Sequence, residues 1–489
     1  MQNSIFAIKF RNRMKRILIL LLGLTINVAL FSHPWKPNHY VIIDTDGGID
    51  DMRAITMLLA SPDVRVLAIT VSPGALNTGT VYIKVRSLLN SFYHEGVPVG
   101  INRNCKFKPP DFLVALNTEW GKESGLYSEN APDCIRLIKD ILSIEKTKVS
   151  FICLGGMSTA SLALKEISAF KQQVKEIIWS ANGAAYKEGF NCKIDLASAE
   201  KVLQGDIPVR MVSGLGEAIY YNDGMIKAIS EIQTIYADKI SEFFRSEVAK
   251  SHKYSYTGND EMVALFLHYP ELFQNDTKVD SFESSPENIK ILREKSLIIL
   301  AGETVAKNQV IKEFSVDPSF YFADIEPFVT DIVNKYGTDE WISGVIANEL
   351  HRHLGVFAIV GVKMGIRARE YFDTGVDEFR VTSFAGSIPP LSCMNDGLQV
   401  STGATPGHGL LTVSSDTITR PVAEFTYMNR KIRLTLKSEI TEKIISELKE
   451  INFVYGLDSN IYWELVRKNS IKYWLNLDRH DIFDIEILQ

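Results

Sequence analysis

Four aspartates, Asp44, Asp46, Asp50 and Asp51, fall within eight residues directly behind the apolar run Val41-Ile42-Ile43. A short run of β-branched residues reads as a buried strand. Met52 to Leu59 then reads as the opening of a helix, and Gly47 and Gly48 let the backbone turn tightly between the carboxylates. A strand, an acidic loop and a helix in that order belong to α/β architecture, where ligands sit at the carboxyl ends of strands. Carboxylates crowded this closely repel one another unless a cation neutralises them. Hard oxygen donors suit Ca²⁺ or Mg²⁺. A solvated acidic loop would account for the charges, but not for the buried strand and the glycines around them.

From Asn38 to Ala160 short β runs alternate with helical stretches. Val64 to Val71, Val97 to Gly100 and Lys148 to Leu154 read as strands; Thr80 to Phe92 and Cys134 to Ser143 have helical spacing. Such alternation predicts a mostly parallel sheet covered by helices. Glycines again follow a strand at Leu154-Gly155-Gly156, and Glu176 to Trp179 is the next strand. Beyond it come Gly189-Phe190-Asn191-Cys192-Lys193-Ile194-Asp195 and then Gly258-Asn259-Asp260, the last just ahead of an apolar helical stretch. Taken alone, Asp260 reads as a helix N-cap.

The spacing Asp44-x-Asp46-x-Gly-x-Asp50-Asp51 resembles the signature of the inosine-uridine nucleoside hydrolase family, and the later segments occur in that family's order. The likeness covers residues 38–341. It implies one Ca²⁺ held by Asp46, Asp51, Asp260 and the carbonyl of Leu154. Asp46 would also be the base that activates water, and Asp44 would support the loop from behind. Asp50 and Asn191 would bind the ribose hydroxyls. The chain departs from the family pattern at three places. Gly189 stands where the family has Glu, so Glu188 is the expected substitute. Asn259 replaces a His and cannot give the leaving group a proton as an imidazolium would. Ala75 and Leu76 stand where Gly-Asn is usual, leaving Asn77 to reach the site.

Residues 344–489 form a second unit. Glu349-Leu350-His351-Arg352-His353-Leu354-Gly355 opens it, and Cys393-Met394-Asn395-Asp396-Gly397-Leu398-Gln399 and Thr402-Gly403-Ala404 follow. This resembles the FmdE family, with Cys393 kept and Ala404 in place of a second Cys. Paired His and a Cys are metal-site material, so His351, His353 and Cys393 are expected to hold a transition metal. Thr419 to Leu436 reads as strands and Glu439 to Ile451 as an amphipathic helix. The fold class expected is therefore α/β: a mostly parallel, nucleoside-hydrolase-like core followed by a smaller α+β FmdE-like domain.

The 489 residues are 46% hydrophobic and 23% charged, and a formal net charge of −6 gives no electrostatic case for nucleic acid. Lys9, Arg11, Arg13, Lys15 and Arg16 precede the apolar run Ile17 to Phe31, so residues 1–33 read as a signal peptide or an uncleaved anchor. The body is expected to be exported, periplasmic or extracellular. Of the five cysteines, Cys105 and Cys134 are a candidate disulfide and Cys153 is core.

The resemblance thus implies a Ca²⁺-dependent hydrolase of a ribonucleoside N-glycosidic bond, acting on a small riboside and forming a homo-oligomer. The alternative is an exported ribosyl-binding protein of the same fold without turnover. The departures lie where the sugar 5′ end and the base are read and leave the metal set intact, which favours an altered substrate over lost catalysis.

Overall fold

The computed structural model describes residues 37–488, apart from 111, 182, 214–218, 253–255, 277–280 and 304–313. The N-terminal segment read as a signal lies outside the described residues. Among the described residues no helix is long and apolar enough to cross a membrane.

The first unit runs β1 (His39–Thr45), α1 (Ile49–Ala60), β2 (Val64–Val71), α2 (Thr78–Ser91), β3 (Val99–Ile101), α3 (Cys134–Ile144), β4 (Val149–Cys153), α4 (Ser158–Glu166) and β5 (Val174–Ser180). It continues through α5 (Phe190–Ile194), α6 (Leu196–Leu203), β6 (Val209–Ser213), β7 (Ile219–Tyr220), α7 (Ile235–Arg245), β8 (Thr257–Gly258), α8 (Glu261–His268), β9 (Phe273–Asp276), β10 (Ser281–Ser284) and α9 (Pro286–Leu300). Eight strands form one sheet in the order β3-β2-β1-β4-β5-β6-β10-β9, parallel except for β9. Every residue of β2 and β4 is buried, as expected when helices cover both faces of a parallel sheet. The sheet's order reverses direction between β1 and β4, where Asp44 pairs with Cys153. The acidic loop therefore leaves the sheet at its switch point, the place where open α/β sheets bind ligands. Gly47 makes the turn there with φ of +83°, a conformation costly for any residue bearing a Cβ.

The second unit contains α10 (Thr338–His351), α11 (Val356–Phe372), β11 (Arg380–Ser383), α12 (Met394–Thr402), β12 (Leu411–Val413), β13 (Val422–Tyr427), β14 (Arg430–Leu436), α13 (Ser438–Tyr455), α14 (Asn460–Asn476) and β15 (Phe483–Leu488). Its five strands lie in the order β12-β11-β13-β14-β15, with only β11 and β12 parallel. Helices α11 and α12 cross at very short range. A Cβ on Gly361 would lie 2.1 Å from the Met394 carbonyl oxygen, and one on Gly397 would lie 2.0 Å from that of Ala358.

The segment from Phe320 to Trp341, within the stretch that the hydrolase likeness covers, packs with the second unit instead. Ile325, Val329, Ile332, Tyr336 and Trp341 share a core with Leu354, Ile359, Ile471 and Trp474. The reason lies in the aromatic residues: Trp341 stacks on Trp474 at 5.2 Å and meets Tyr321 edge-on at 4.8 Å. Residues 341–344, where the two likenesses meet, lie inside α10. The anticipated Cys105–Cys134 disulfide is not formed, and all five cysteines are thiols.

Candidate active site

The loop between β1 and α1 is held together by its own side chains. Asp51 Oδ1 accepts from Thr45 Oγ1 at 2.6 Å and from the Asp46 amide at 3.1 Å. The Gly48 amide donates to Asp46 Oδ1 at 3.3 Å. Asp44 points back into the sheet, where Thr70 and Ser72 donate to it at 2.6 and 2.9 Å. Burial pushes the Asp44 carboxyl up to about 7, against those hydrogen bonds. Asp44 thus ties the loop to β2 and its following residues, in keeping with a supporting role.

One oxygen from each of Asp50, Asp51 and Asp260 can be chosen so that all three lie within 4.8 Å of one another; no other His, Cys, Asp or Glu group of three does so among the described residues. α1 brings the first two and the start of α8 brings the third. These acids and Asp46 line one cavity of about 900 Å³. Burial, followed by repulsion from Asp51, holds the Asp46 carboxyl well above the usual range. Burial, then Asp51 and Glu261, lifts Asp50 to about 7, with Arg53 opposing. Burial, then Asp50 and Asp51, raises Asp260. Buried carboxylates that raise one another's proton affinity are the electrostatic condition a divalent cation relieves, and an all-oxygen donor set suits a hard ion. The residues present therefore fit a metal.

Asp46 occupies a slot built for it. A Cβ on Gly74 would lie 2.1 Å from Asp46 Oδ2, and one on Gly155 would lie 2.9 Å from the same oxygen. Leu154, at the end of β4, has its amide on the Asp44 carbonyl at 2.9 Å. Its own carbonyl accepts from Asn191 Nδ2 at 2.6 Å, and the same nitrogen donates to the Ser180 carbonyl at 3.0 Å. Asn191 lines the cavity as expected, but its amide protons staple the ends of β4 and β5. In this arrangement it can accept from a sugar hydroxyl through Oδ1 and not donate. Asn259 stands at the lip of the cavity with Nδ2 3.4 Å from Asp50 Oδ2.

Two residues expected to reach the sugar, Asn77 and Glu188, do not line the cavity. Asn77 is exposed and caps α2, accepting from the Thr80 amide at 3.0 Å and Thr80 Oγ1 at 3.1 Å; Ala75 faces the cavity in its place. Capping satisfies an orphan helix donor, which is what an Asn at that position does best. Glu188 is exposed at the end of a 3₁₀ turn, while its neighbours Tyr186 and Gly189 line the cavity.

Sequence reasoning missed three contributors. Arg53, fully buried, forms an ion pair with Glu261 at 2.5 Å and donates to the Thr257 carbonyl at 2.8 Å, while Tyr221 donates to Glu261 at 2.9 Å. His252 lines the cavity, a short stretch upstream of Asp260. Phe112 and Phe190 form an aromatic wall, edge to face at 5.4 Å. No local motif marks His252 or Phe112; Phe190 lies in the 189–195 segment, where the sequence assigns it no role.

In the second unit, His351 Nδ1 donates to Asp396 Oδ2 at 2.7 Å, and the His351 and His353 rings lie 4.2 Å apart. Cys393 does not complete the expected three-residue site. It sits at the N-cap of α12 as a buried thiol, pushed up to about 11 by burial and then by Asp396, and Asp396, in the first turn, meets His351 instead.

Residues 41–317, more than half the chain, match the family described as inosine-uridine preferring nucleoside hydrolase, and residues 350–479 match FmdE, molybdenum formylmethanofuran dehydrogenase operon. The pyrimidine-specific ribonucleoside hydrolase RihA of Klebsiella pneumoniae is 25% identical over 262 residues, covering 48% of this chain and 80% of that protein. A probable uridine nucleosidase 2 of Oryza sativa is 27% identical over 258 residues, covering 48% and 72%. Among solved structures, an inosine-uridine preferring nucleoside hydrolase of Bacillus anthracis aligns at TM-score 0.44 and 15% identity, covering 54% of this chain and all of that one. The chain belongs to the inosine-uridine preferring nucleoside hydrolase family and is an N-glycosyl hydrolase whose first unit is followed by an FmdE domain.

Proposed function

We propose that this protein hydrolyses the N-glycosidic bond of a ribonucleoside or related riboside in a Ca²⁺-dependent reaction with Asp46 as base. The observation that carries the reading is the meeting of the half-buried Asp50 with the buried Asp51 and Asp260 in the lining of the cavity that Asp46 also lines. Asp51 and Asp260 would hold the ion, with Asp46, Asp50 and the Leu154 carbonyl as the neighbouring hard donors. A bound divalent cation lowers the pKa of water and fixes sugar hydroxyls. Asp46 then takes the water's proton. The slot between Gly74 and Gly155 would hold its carboxylate in one place for that step. Asp50, with Asn259 against it, faces the sugar, and Asn191 Oδ1 accepts from a hydroxyl. Cleavage builds positive charge on the ribose ring, and the surrounding carboxylates stabilise it. The aromatic wall of Phe112 and Phe190 suits a planar leaving group. The basic and then apolar N-terminus supports export.

A screen of ribosides for released ribose, with and without chelator, tests the reading. Turnover should require added Ca²⁺ and fall about 10²–10⁴-fold in a folded Asp46→Asn variant. Near-normal turnover in that variant would remove Asp46 as the base. Tight binding of ribosides with no ribose released by the wild type would favour a binding protein.

A further inference from the structure

The cavity beside α1 carries more negative charge than a divalent ion offsets. Asp46, Asp50, Asp51 and Asp260 all line it, and such an ion balances two of the four. Among the described residues of the lining the one guanidinium is Arg53, and Glu261 holds it at 2.5 Å. Lys106, Lys108 and Lys193, sequence neighbours of the aromatic wall, are exposed, and none of them lines the cavity. Apart from His252, the described lining offers no further cation to an anionic substituent such as a phosphate. A positively charged guest meets an attractive field.

The aromatic side chains of the lining favour the same guest. A cation near the face of a ring is drawn to the ring's electrons. Lys187 already does this at the rim, with Nζ 5.9 Å from the centre of the Tyr186 ring and its charge answered by Glu200 at 2.6 Å. Phe112 and Phe190 remain 43% and 38% exposed, so both rings have surface to offer. The carboxylates also decide how a leaving group departs. A neutral riboside that loses its base unprotonated releases an anion beside them, and they repel it. Asn259, at the lip beside Asp50, has no proton to transfer. A ring that starts out positively charged departs neutral and needs none.

We propose that the preferred substrates are cationic N-ribosides, in which the aromatic ring joined to the ribose carries a fixed positive charge, as in an N-ribosylpyridinium, and that 5′-phosphorylated ribosides are rejected. The inference rests on the riboside-hydrolase reading and names its substrate class. Water forms the new C1′–O bond. The C1′–N bond breaks with its electron pair going to the ring nitrogen, which leaves as a neutral pyridine. One proton of the water passes to Asp46 and on to solvent; the other stays on the C1′ hydroxyl. The carboxylates face positive charge throughout, first on the ring and then on the ribose. His252 can hand a neutral base a proton, so neutral ribosides are slower substrates and not excluded ones.

The test compares the ribosylnicotinamide cation with inosine and uridine on the full-length chain in saturating Ca²⁺. The cation should show kcat/KM at least about tenfold above either, and its 5′-phosphate should fall about tenfold or more below it. Binding gives a readout without turnover. Of two carbon-linked ribosides that cannot be cleaved, one ending in N-methylpyridinium and one in phenyl, calorimetry should find the cation tighter by about tenfold. Phe190→Leu should shrink that preference about two- to fivefold, the worth of one cation–ring contact. Equal kcat/KM for the cation and inosine, or equal affinity for the two carbon-linked ribosides, would overturn the proposal and leave the hydrolase reading standing. Tighter binding of the cation with no ribose released from any riboside would uphold the cation preference and remove the hydrolase reading instead.

Discussion

At the scale of single residues, the catalytic reading turns on where one carboxylate is allowed to sit. The Gly74 and Gly155 backbones approach Asp46 so closely that a methyl group at either would displace it, the former at 2.1 Å from Oδ2. Gly74→Ala should therefore act as an Asp46 variant without touching Asp46. Turnover should fall about tenfold or more, since a misplacement near 1 Å costs up to 10²-fold, while circular dichroism stays unchanged. Wild-type turnover in Gly74→Ala would mean that the slot does not position the base. The leaving group poses a second residue-scale question. Asn259 cannot protonate a departing base, but His252 lines the same cavity and can. His252→Ala should slow cleavage of inosine far more than cleavage of a p-nitrophenyl riboside, whose leaving group needs no proton. Equal slowing of both substrates would assign His252 to binding alone.

At the scale of elements, the carboxylates proposed to hold the metal come from two helices far apart in sequence, and something must hold α1 against α8. The buried Arg53–Glu261 pair does so, with Tyr221 on Glu261 and the Arg53 guanidinium 4.9 Å from the Tyr221 ring centre. Breaking a buried pair on one side strands the other charge, at about 3–5 kcal/mol. Glu261→Gln should thus lower both thermal stability and Ca²⁺ affinity, and restored Ca²⁺ affinity in Arg53→Met/Glu261→Met would show the pair acts by packing, not charge. An unchanged Ca²⁺ affinity in Glu261→Gln would detach the pair from the site. This linkage also shows what the sequence could and could not disclose. The strand–loop–helix carrying Asp44 to Asp51 was legible because its residues are contiguous and its period changes sharply. Asp260 was legible only through the order of segments. Arg53 and Glu261 were not, since 208 residues separate them and nothing local marks a partner. Asn77 and Glu188 fall outside the cavity lining because one residue of loop path decides between a helix cap or a solvent-facing turn and a cavity wall. The second unit's strands were readable from alternation, but the Trp341–Trp474 stack that reassigns residues 320–341 depends on a helix more than 100 residues later.

At the scale of the molecule, the two units meet through polar contacts that neither could satisfy alone. Arg65 of β2 is buried and forms a two-pronged pair with Glu378, at 2.5 and 2.9 Å, and also donates to the Asp373 carbonyl at 3.0 Å. His94 donates through Nδ1 to the Glu370 carbonyl at 2.7 Å and takes the Tyr236 hydroxyl on Nε2 at 2.8 Å. The Gly96 amide donates to the Tyr371 carbonyl at 2.6 Å, Arg367 pairs with Glu95 at 2.8 Å, and Tyr93 stacks on His480 at 3.5 Å. Such an interface fixes one unit against the other and makes them share stability. Cutting the chain after Trp341 would not separate them cleanly, because Trp341 would leave Trp474 behind. A gentler probe is Glu378→Gln, which keeps the shape and leaves Arg65, with 4% of its side chain exposed, facing a neutral amide. Wild-type protein should unfold in one calorimetric transition. Glu378→Gln should lose about 3–5 kcal/mol at the interface and split that transition in two, with added Ca²⁺ raising only the component that belongs to the first unit. Two well-separated transitions already present in the wild type, unmoved by Glu378→Gln, would show that the units are merely adjacent and that the buried pair does not couple them.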